Sequence, residues 1–160
     1  MDVYWVGFDR AMLNLRAWMD KAFALASNCP PSDTAYSVGA IGLDAEGNQI
    51  AKGWSRASGK KNHAEEELIK NLPEDGPQLH TVICTLEPCN KRGSKKTGCA
   101  TRLIKAGVKR VVIGVVETDH FTKQDGVETL REAGIEVIRL PGYEPDFEAL
   151  HTHLEIKEAS

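Results

Sequence analysis

Residues 98–117, GCATRLIKAGVKRVVIGVVE, decide the fold. The stretch reads as a helix over about Gly98 to Ala106, stopped by Gly107, then a β-strand rich in valine and isoleucine. The same step recurs directly afterwards. GVETLREAG at 126–134 reads as a helix and IEVIRL at 135–140 as a strand. Just upstream, HTVICTLE at 80–87 reads as a buried strand. Strands alternating with helices imply crossover connections and parallel pairing.

The first half has a different pattern. Met12, Leu15, Trp18, Met19, Ala22, Phe23 and Leu25 recur at helical spacing within residues 8–27, and NCPPSD breaks that helix. YSVGAIGLD at 36–44 and QIAKGWS at 49–55 read as strands around the turn AEGN, an antiparallel hairpin. Asn62 is expected to cap a helix from about His63 to Leu72, which PEDGP ends. The tail from Pro141 is expected to add one short helix. The order α-β-β-α-β-α-β-α-β predicts an α/β protein: a three-layer α/β/α sandwich around a mixed five-stranded sheet. One domain is expected over 1–160, with a core of about 10–140 and a tail of 141–160.

Apolar residues make up 41% of the 160 and charged residues 27%, the balance of an ordinary globular chain. No apolar run is long enough for a membrane span, so no membrane partner is expected. The opening MDVYWVGFDR has no basic segment ahead of an apolar one, so a cytoplasmic protein is expected. A formal net charge of -3 offers no bulk attraction to nucleic acid. The four cysteines, Cys29, Cys84, Cys89 and Cys99, are therefore read as reduced thiols, for metal binding or burial.

The chemistry concentrates in NHAEEELIK at 62–70 and TLEPCNKRGSKKTGC at 85–99. His63 and Glu65 fall in the first turn of one helix, Cys89 follows a strand, and Cys99 opens the next helix. Sites in open α/β sheets form beyond the carboxyl ends of the strands, where helix N-termini converge. The partial positive charge there favours the thiolates that a metal needs. One imidazole and two thiolates make a three-ligand zinc site with the fourth position open, which is the catalytic arrangement. Residues i and i+2 diverge on a helix, so Glu65 is not a second ligand beside His63. It is placed to move the proton of a metal-activated water.

HAE, then TLEPC, then a later Cys resembles the zinc-dependent cytidine deaminase superfamily, whose glutamate is the proton shuttle and not a ligand. The resemblance covers about Met12 to Leu140. It implies the cytidine deaminase-like sandwich, Zn2+ on His63, Cys89 and Cys99, catalysis by Glu65, and commonly a homodimer. Nine residues separate Cys89 from Cys99, where nucleoside and editing deaminases usually have two. That long spacer is similar to the riboflavin-biosynthesis deaminases. SVGAI, ATRLIKAGVKRVVIGVVETD and LPGYE also resemble that family, and look closest to its fungal form. AYS stands where the bacterial enzymes carry an Asn-Pro element against the base, which points to Tyr36 and Ser37. The bacterial enzymes are fused to a reductase, for which this chain has no room.

The resemblance implies a hydrolytic deaminase of a small aminopyrimidine, with a diamino-pyrimidinone ribosyl- or ribityl-amine phosphate as the leading substrate. A nucleoside, nucleotide or aminopyrimidine natural product is the alternative; a nucleic-acid base or a non-catalytic zinc module stands further back. Lys95 and Lys96 in NKRGSKK match a phosphate-holding lysine, and Asp119 and His120 in TDHF border the expected site. Cys84 reads as a core residue, Cys29 as inert, and Glu87 as a structural group at a strand end. Glu66, Glu67, His151 and His153 read as solvated, and His80 needs no role.

Overall fold

The computed structural model describes residues 2–90, 97–116 and 126–154, with side chains from residue 14 onward. In chain order the elements are α1 (Asp2–Ala26), β1 (Gly39–Leu43), β2 (Gln49–Trp54), α2 (Ala64–Lys70), β3 (Thr81–Leu86), α3 (Cys99–Lys105), β4 (Arg110–Val115), α4 (Gly126–Glu132), β5 (Glu136–Arg139) and α5 (Glu144–Ala149). This is the expected order. The strands form one five-stranded sheet in the order β2-β1-β3-β4-β5. β1 runs antiparallel to β2 and β3, while β3, β4 and β5 are mutually parallel. Every residue of β3 is buried, Thr81 and Thr85 included, which is why the strand shows no strict polar–apolar alternation.

Two bounds differ from the reading of the sequence. α1 begins at Asp2, ahead of the span read from apolar spacing. β1 starts at Gly39, not at Tyr36, because the preceding amides are engaged elsewhere. Ser37 N–H donates to His151 Nε2 (2.8 Å) and Val38 N–H to Ser55 Oγ (2.9 Å).

Strand side chains alternate between the two faces, so single positions reveal which helix covers each face. Gly114 of β4 looks toward Met19 and Phe23 of α1. Tyr143, just before α5, stacks on Phe23 with centroids 5.2 Å apart and donates to Asp20 Oδ1 at 3.0 Å, so α5 shares that face. On the opposite face α2 lies over β2 and β1, with α3 between α2 and α4. The approach of α2 requires Gly53, where a Cβ would fall on the backbone of Ala64 and Leu68. Met19, Ile83 and Val112 fill the interior on the α1 side; Leu68, Val82, Leu103, Ile113 and Leu130 fill it on the other.

The entry into α2 differs from expectation in three residues. His63, not Asn62, is the N-cap, with extended backbone at φ −83 and ψ 163. Its N–H donates to Glu66 Oε1 at 3.0 Å, so Glu66 closes the helix end and is not a solvated residue. Glu67 is not solvated either, being only 2% exposed. It accepts from Ser58 N (3.0 Å), Ser58 Oγ (2.8 Å) and Asn62 Nδ2 (2.9 Å). Burial alone would raise its pKa, but the donors on Asn62 and Ser58 outweigh burial and hold it below the usual carboxylate range. Glu67 thereby ties the loop after β2 to α2 and sets where His63 enters the helix.

A depressed folded pKa contributes stability that is fully present above the unfolded value, near pH 4.3, and lost as pH falls through the folded value. Glu67→Gln is expected to cost about 1–3 kcal/mol at pH 7, because it leaves buried donors without a charged acceptor. Denaturant titration of both proteins at pH 7 and pH 3 checks this. The gap should narrow at pH 3; a gap of the same size at both would contradict the account.

Candidate metal centre and active site

Three backbone features converge at the carboxyl end of β3. Pro88 and Cys89 leave the strand, the first turn of α3 docks against them, and the N-terminus of α2 arrives from the side. Ala100 N–H donates to Cys89 O at 2.9 Å, and Cys99 N–H points at Cys89 Sγ at 3.4 Å. This docking requires a glycine at the N-cap of α3, since a Cβ at Gly98 would fall on the carbonyl of Asn90. Glu66 of α2 also reaches Arg102 of α3 at 3.8 Å, linking the helix that begins at His63 to the one that begins at Cys99.

The result is a compact donor set. His63 Nδ1 lies 3.6 Å from Cys89 Sγ and 3.4 Å from Cys99 Sγ, and all three ligand atoms are within 4.8 Å of one another. A tetrahedron with zinc–sulfur distances of about 2.3 Å and zinc–nitrogen distances of about 2.0–2.1 Å has nitrogen-to-sulfur edges of about 3.5 Å. The observed separations match those edges, so a zinc ion fits with little movement. Among the described residues this is the one group of three or more such side chains. Cys99, which shares its hydrogen with Cys89, is the main reason that the Cys89 thiol is lowered to about 5; burial opposes this, and His63 assists it. A thiol already poised to ionise is what zinc binding needs.

Glu65, in the first turn of α2, is 3% exposed. Burial is the main cause that raises its pKa; the negative charge of Cys89 adds to this, while His63, its own backbone amide and Cys99 oppose it. Cys99 hydrogen-bonds to the carboxylate, and His63 and Cys89 act on it through their charge. Cys84, on the α2 side of β3, is fully buried as expected of a core residue, and its thiol also hydrogen-bonds to Glu65. Burial first, and then that carboxylate, push the Cys84 thiol far up. It is therefore a neutral neighbour of the site.

Tyr36 and Ser37 precede β1. Ala40 pairs with Cys84, and Gly39 N–H donates to Thr85 Oγ1 at 3.2 Å. That register brings the segment before β1 to the sheet end where Cys89 emerges. The Tyr36 ring itself packs on Phe147 and His151, at centroid distances of 5.1 and 5.0 Å. Lys95, Lys96, Asp119 and His120 lie outside the described residues.

Two histidines depart from the expected solvated tail. His151 is 4% exposed and bonded at both ring nitrogens, to Ser37 N and to Phe147 O. His153 Nε2 contacts Ser32 O at 2.8 Å. Both meet partners more than a hundred positions away in the chain, and no local pattern signals that. Glu66 is different: a glutamate three positions after the N-cap is the capping-box spacing, so its role was visible once His63 is taken as the cap. Glu87, read as structural, accepts from Val127 N–H of α4 at 3.2 Å through Oε2.

The zinc-binding region of the cytidine and deoxycytidylate deaminases matches residues 12–115. A diaminohydroxyphosphoribosylamino-pyrimidine deaminase of Schizosaccharomyces pombe is 36% identical over 137 residues, 83% of this chain and 34% of that protein. The chain thus spans about a third of that relative's length. Among solved structures, a bifunctional diaminohydroxyphosphoribosylaminopyrimidine deaminase and 5-amino-6-(5-phosphoribosylamino)uracil reductase from Thermotoga maritima superposes with a TM-score of 0.73 at 30% identity. It covers 92% of this chain and 43% of that one. The Aspergillus oryzae Rib2 deaminase superposes with a TM-score of 0.73 at 20% identity, over 91% of this chain and 94% of that one, a likeness that bears on the fold. With the donor set, the buried glutamate and the matched region all falling on the same residues, the chain belongs to the zinc-binding cytidine and deoxycytidylate deaminase family.

Proposed function

We propose that this chain is a hydrolytic deaminase that removes the exocyclic amine of a diamino-pyrimidinone ribosyl- or ribityl-amine phosphate, an intermediate of riboflavin biosynthesis. The observation that carries the chemistry is a buried carboxylate, Glu65, hydrogen-bonded to Cys99 of a three-donor cluster that also holds His63 and Cys89. The substrate rests on the relatives, several of which are named for that pyrimidine or for riboflavin biosynthesis. In this reading residues 1–160 act as one deaminase domain and assemble as a homodimer. None of the four cysteines is in a disulfide, which suits a reducing cytoplasm.

His63, Cys89 and Cys99 would hold zinc. Bound there, the ion supplies Lewis acidity and brings a water molecule within reach of ionisation near neutral pH. Glu65 takes a proton from the attacking water and passes it to the ring nitrogen beside the reacting carbon. Glu65 then moves the remaining proton of that water from the new hydroxyl to the exocyclic nitrogen; the carbon–nitrogen bond breaks, ammonia leaves and a ring carbonyl remains. Burial raises the pKa of Glu65, which makes its carboxylate a stronger base and suits a group that takes up a proton before passing it on. Ser37 and the Tyr36 backbone, with Asp119 and His120, are the proposed contacts to the ring. Lys95 and Lys96 are the proposed contacts to the phosphate.

Metal content and ammonia release separate these roles. Cys89→Ser and Cys99→Ser should lose zinc and turnover together, whereas Cys84→Ser should keep its metal. Glu65→Gln should keep about one zinc per chain and lose about a hundredfold to ten-thousandfold in kcat, the usual worth of a proton-transfer group. Full zinc occupancy in both cysteine variants, or wild-type turnover by Glu65→Gln, would contradict the assignment.

Phosphate recognition is tested by comparing the phosphorylated substrate with its dephosphorylated form. Wild type should prefer the phosphorylated compound. Lys95→Ala or Lys96→Ala should lose about ten- to a hundredfold in kcat/KM, mostly through KM, as a charged hydrogen bond held equally in ground and transition states would. Equal turnover of both forms by wild type would move the substrate to the nucleoside or natural-product class.

A further inference from the structure

The dipeptide Tyr36–Ser37 is gripped from two directions. Arg56, just after β2, spreads its guanidinium across the segment that leads to β1. Nη1 donates to Tyr36 O at 3.0 Å and Nη2 to Ser37 Oγ at 3.0 Å. Nε and Nη2 also reach Pro30 O, at 3.1 and 2.7 Å. From the other side, His151 Nε2 accepts the Ser37 N–H at 2.8 Å, and Nδ1 meets Phe147 O at 2.7 Å. A carbonyl only accepts and an amide only donates, so His151 is neutral with its hydrogen on Nδ1. Its ring packs on Phe147 at 4.3 Å and edge-on to Tyr36 at 5.0 Å. The backbone N–H of Ser37 and its hydroxyl are thus both engaged, by side chains 95 positions apart in the chain.

Arg56 also carries φ 62, and it is the one non-glycine residue with positive φ in the described backbone. A long side chain in that region persists only where the surroundings over-determine it, as its four bonds and the 2.8 Å bond from its own N–H to Asn62 O do. Asn62 in turn precedes the ligand His63. The segment so held leads into β1 at the sheet end where Cys89 leaves β3.

We infer that Arg56 and His151 are positioning residues for substrate recognition, holding Ser37 and the Tyr36 backbone in the arrangement that meets the pyrimidine ring. Neither touches the substrate or the metal; both act through the dipeptide. The inference rests on the deaminase reading above and adds to it two residues that set ring affinity. A wall displaced by even about 1 Å weakens recognition strongly, because binding groups act only from the right place.

The test measures kcat and KM separately on the phosphorylated diamino-pyrimidinone ribosylamine, with zinc content and thermal melting alongside. His151→Phe keeps the ring packing and removes both polar contacts, and Arg56→Gln removes the fork. Each should raise KM about tenfold or more while kcat stays within about twofold and zinc stays bound. His151→Gln, whose amide oxygen can accept from Ser37 N–H, should recover part of the lost affinity. If His151→Phe does not fold, Arg56→Gln decides alone, since its side chain is only partly buried and its loss leaves the His151 packing in place. Wild-type KM in the folded variants would overturn the inference alone. So would a fall in kcat or zinc at unchanged KM, which would put these residues on the chemistry or the metal. Absence of turnover by wild type would overturn the deaminase reading, and this inference with it.

Discussion

Two hydrogen bonds hold the first turn of α3 against the chain that leaves β3, from Ala100 N–H to Cys89 O and from Cys99 N–H to Cys89 Sγ. This docking brings together two thiols ten positions apart in the chain and aims both at the N-cap of a second helix. It depends on the absence of a side chain at Gly98, because the Asn90 carbonyl occupies that space. Without it Cys99 would retreat from Cys89, and His63 would face one sulfur. The sheet, the layering of the helices and the glycine at position 53 all serve to bring these three backbone ends to one place.

The electrostatics follow from the same convergence. Two helix N-termini and a neutral thiol surround a carboxylate that is almost wholly removed from water. Burial favours the protonated form of Glu65, while Cys99 lowers the Cys89 thiol by sharing its hydrogen with it. The acid is thus driven towards holding a proton and the sulfur towards releasing one. That division, set by environment and not by residue type, would let one carboxylate carry protons beside ligands that must be ionised. The remaining acids of α2 have mechanical duties. Glu66 closes the helix start and links to Arg102, and Glu67 anchors the preceding loop.

The alternation of helices and strands after residue 80 was legible because each element carries its own periodicity, as in GCATRLIKAG and VKRVVIGVVE. His63, Glu65, Cys89 and Cys99 were legible because they sit in short segments whose spacing is chemically restrictive. Glu67 was misread because three acidic residues in a row look solvated, and its donors Ser58 and Asn62 come from a loop folded back over the helix. His151 was misread for the same reason at longer range, since its partner Ser37 lies 114 positions away. The start of β1 moved because side chains of Ser55 and His151 take the amides that a strand would use. In each case a tertiary contact overrode a local pattern that remains correct as a pattern.

The central claim is that His63, Cys89 and Cys99 form an open zinc site. X-ray absorption at the zinc edge of the purified full chain tests it most directly, because it reads the ligand shell atom by atom. The account predicts two sulfurs at about 2.3 Å, one imidazole nitrogen at about 2.0 Å and one further oxygen or nitrogen from solvent. A closed shell made only of protein sulfur and imidazole, or a shell with fewer than two sulfurs, would contradict it.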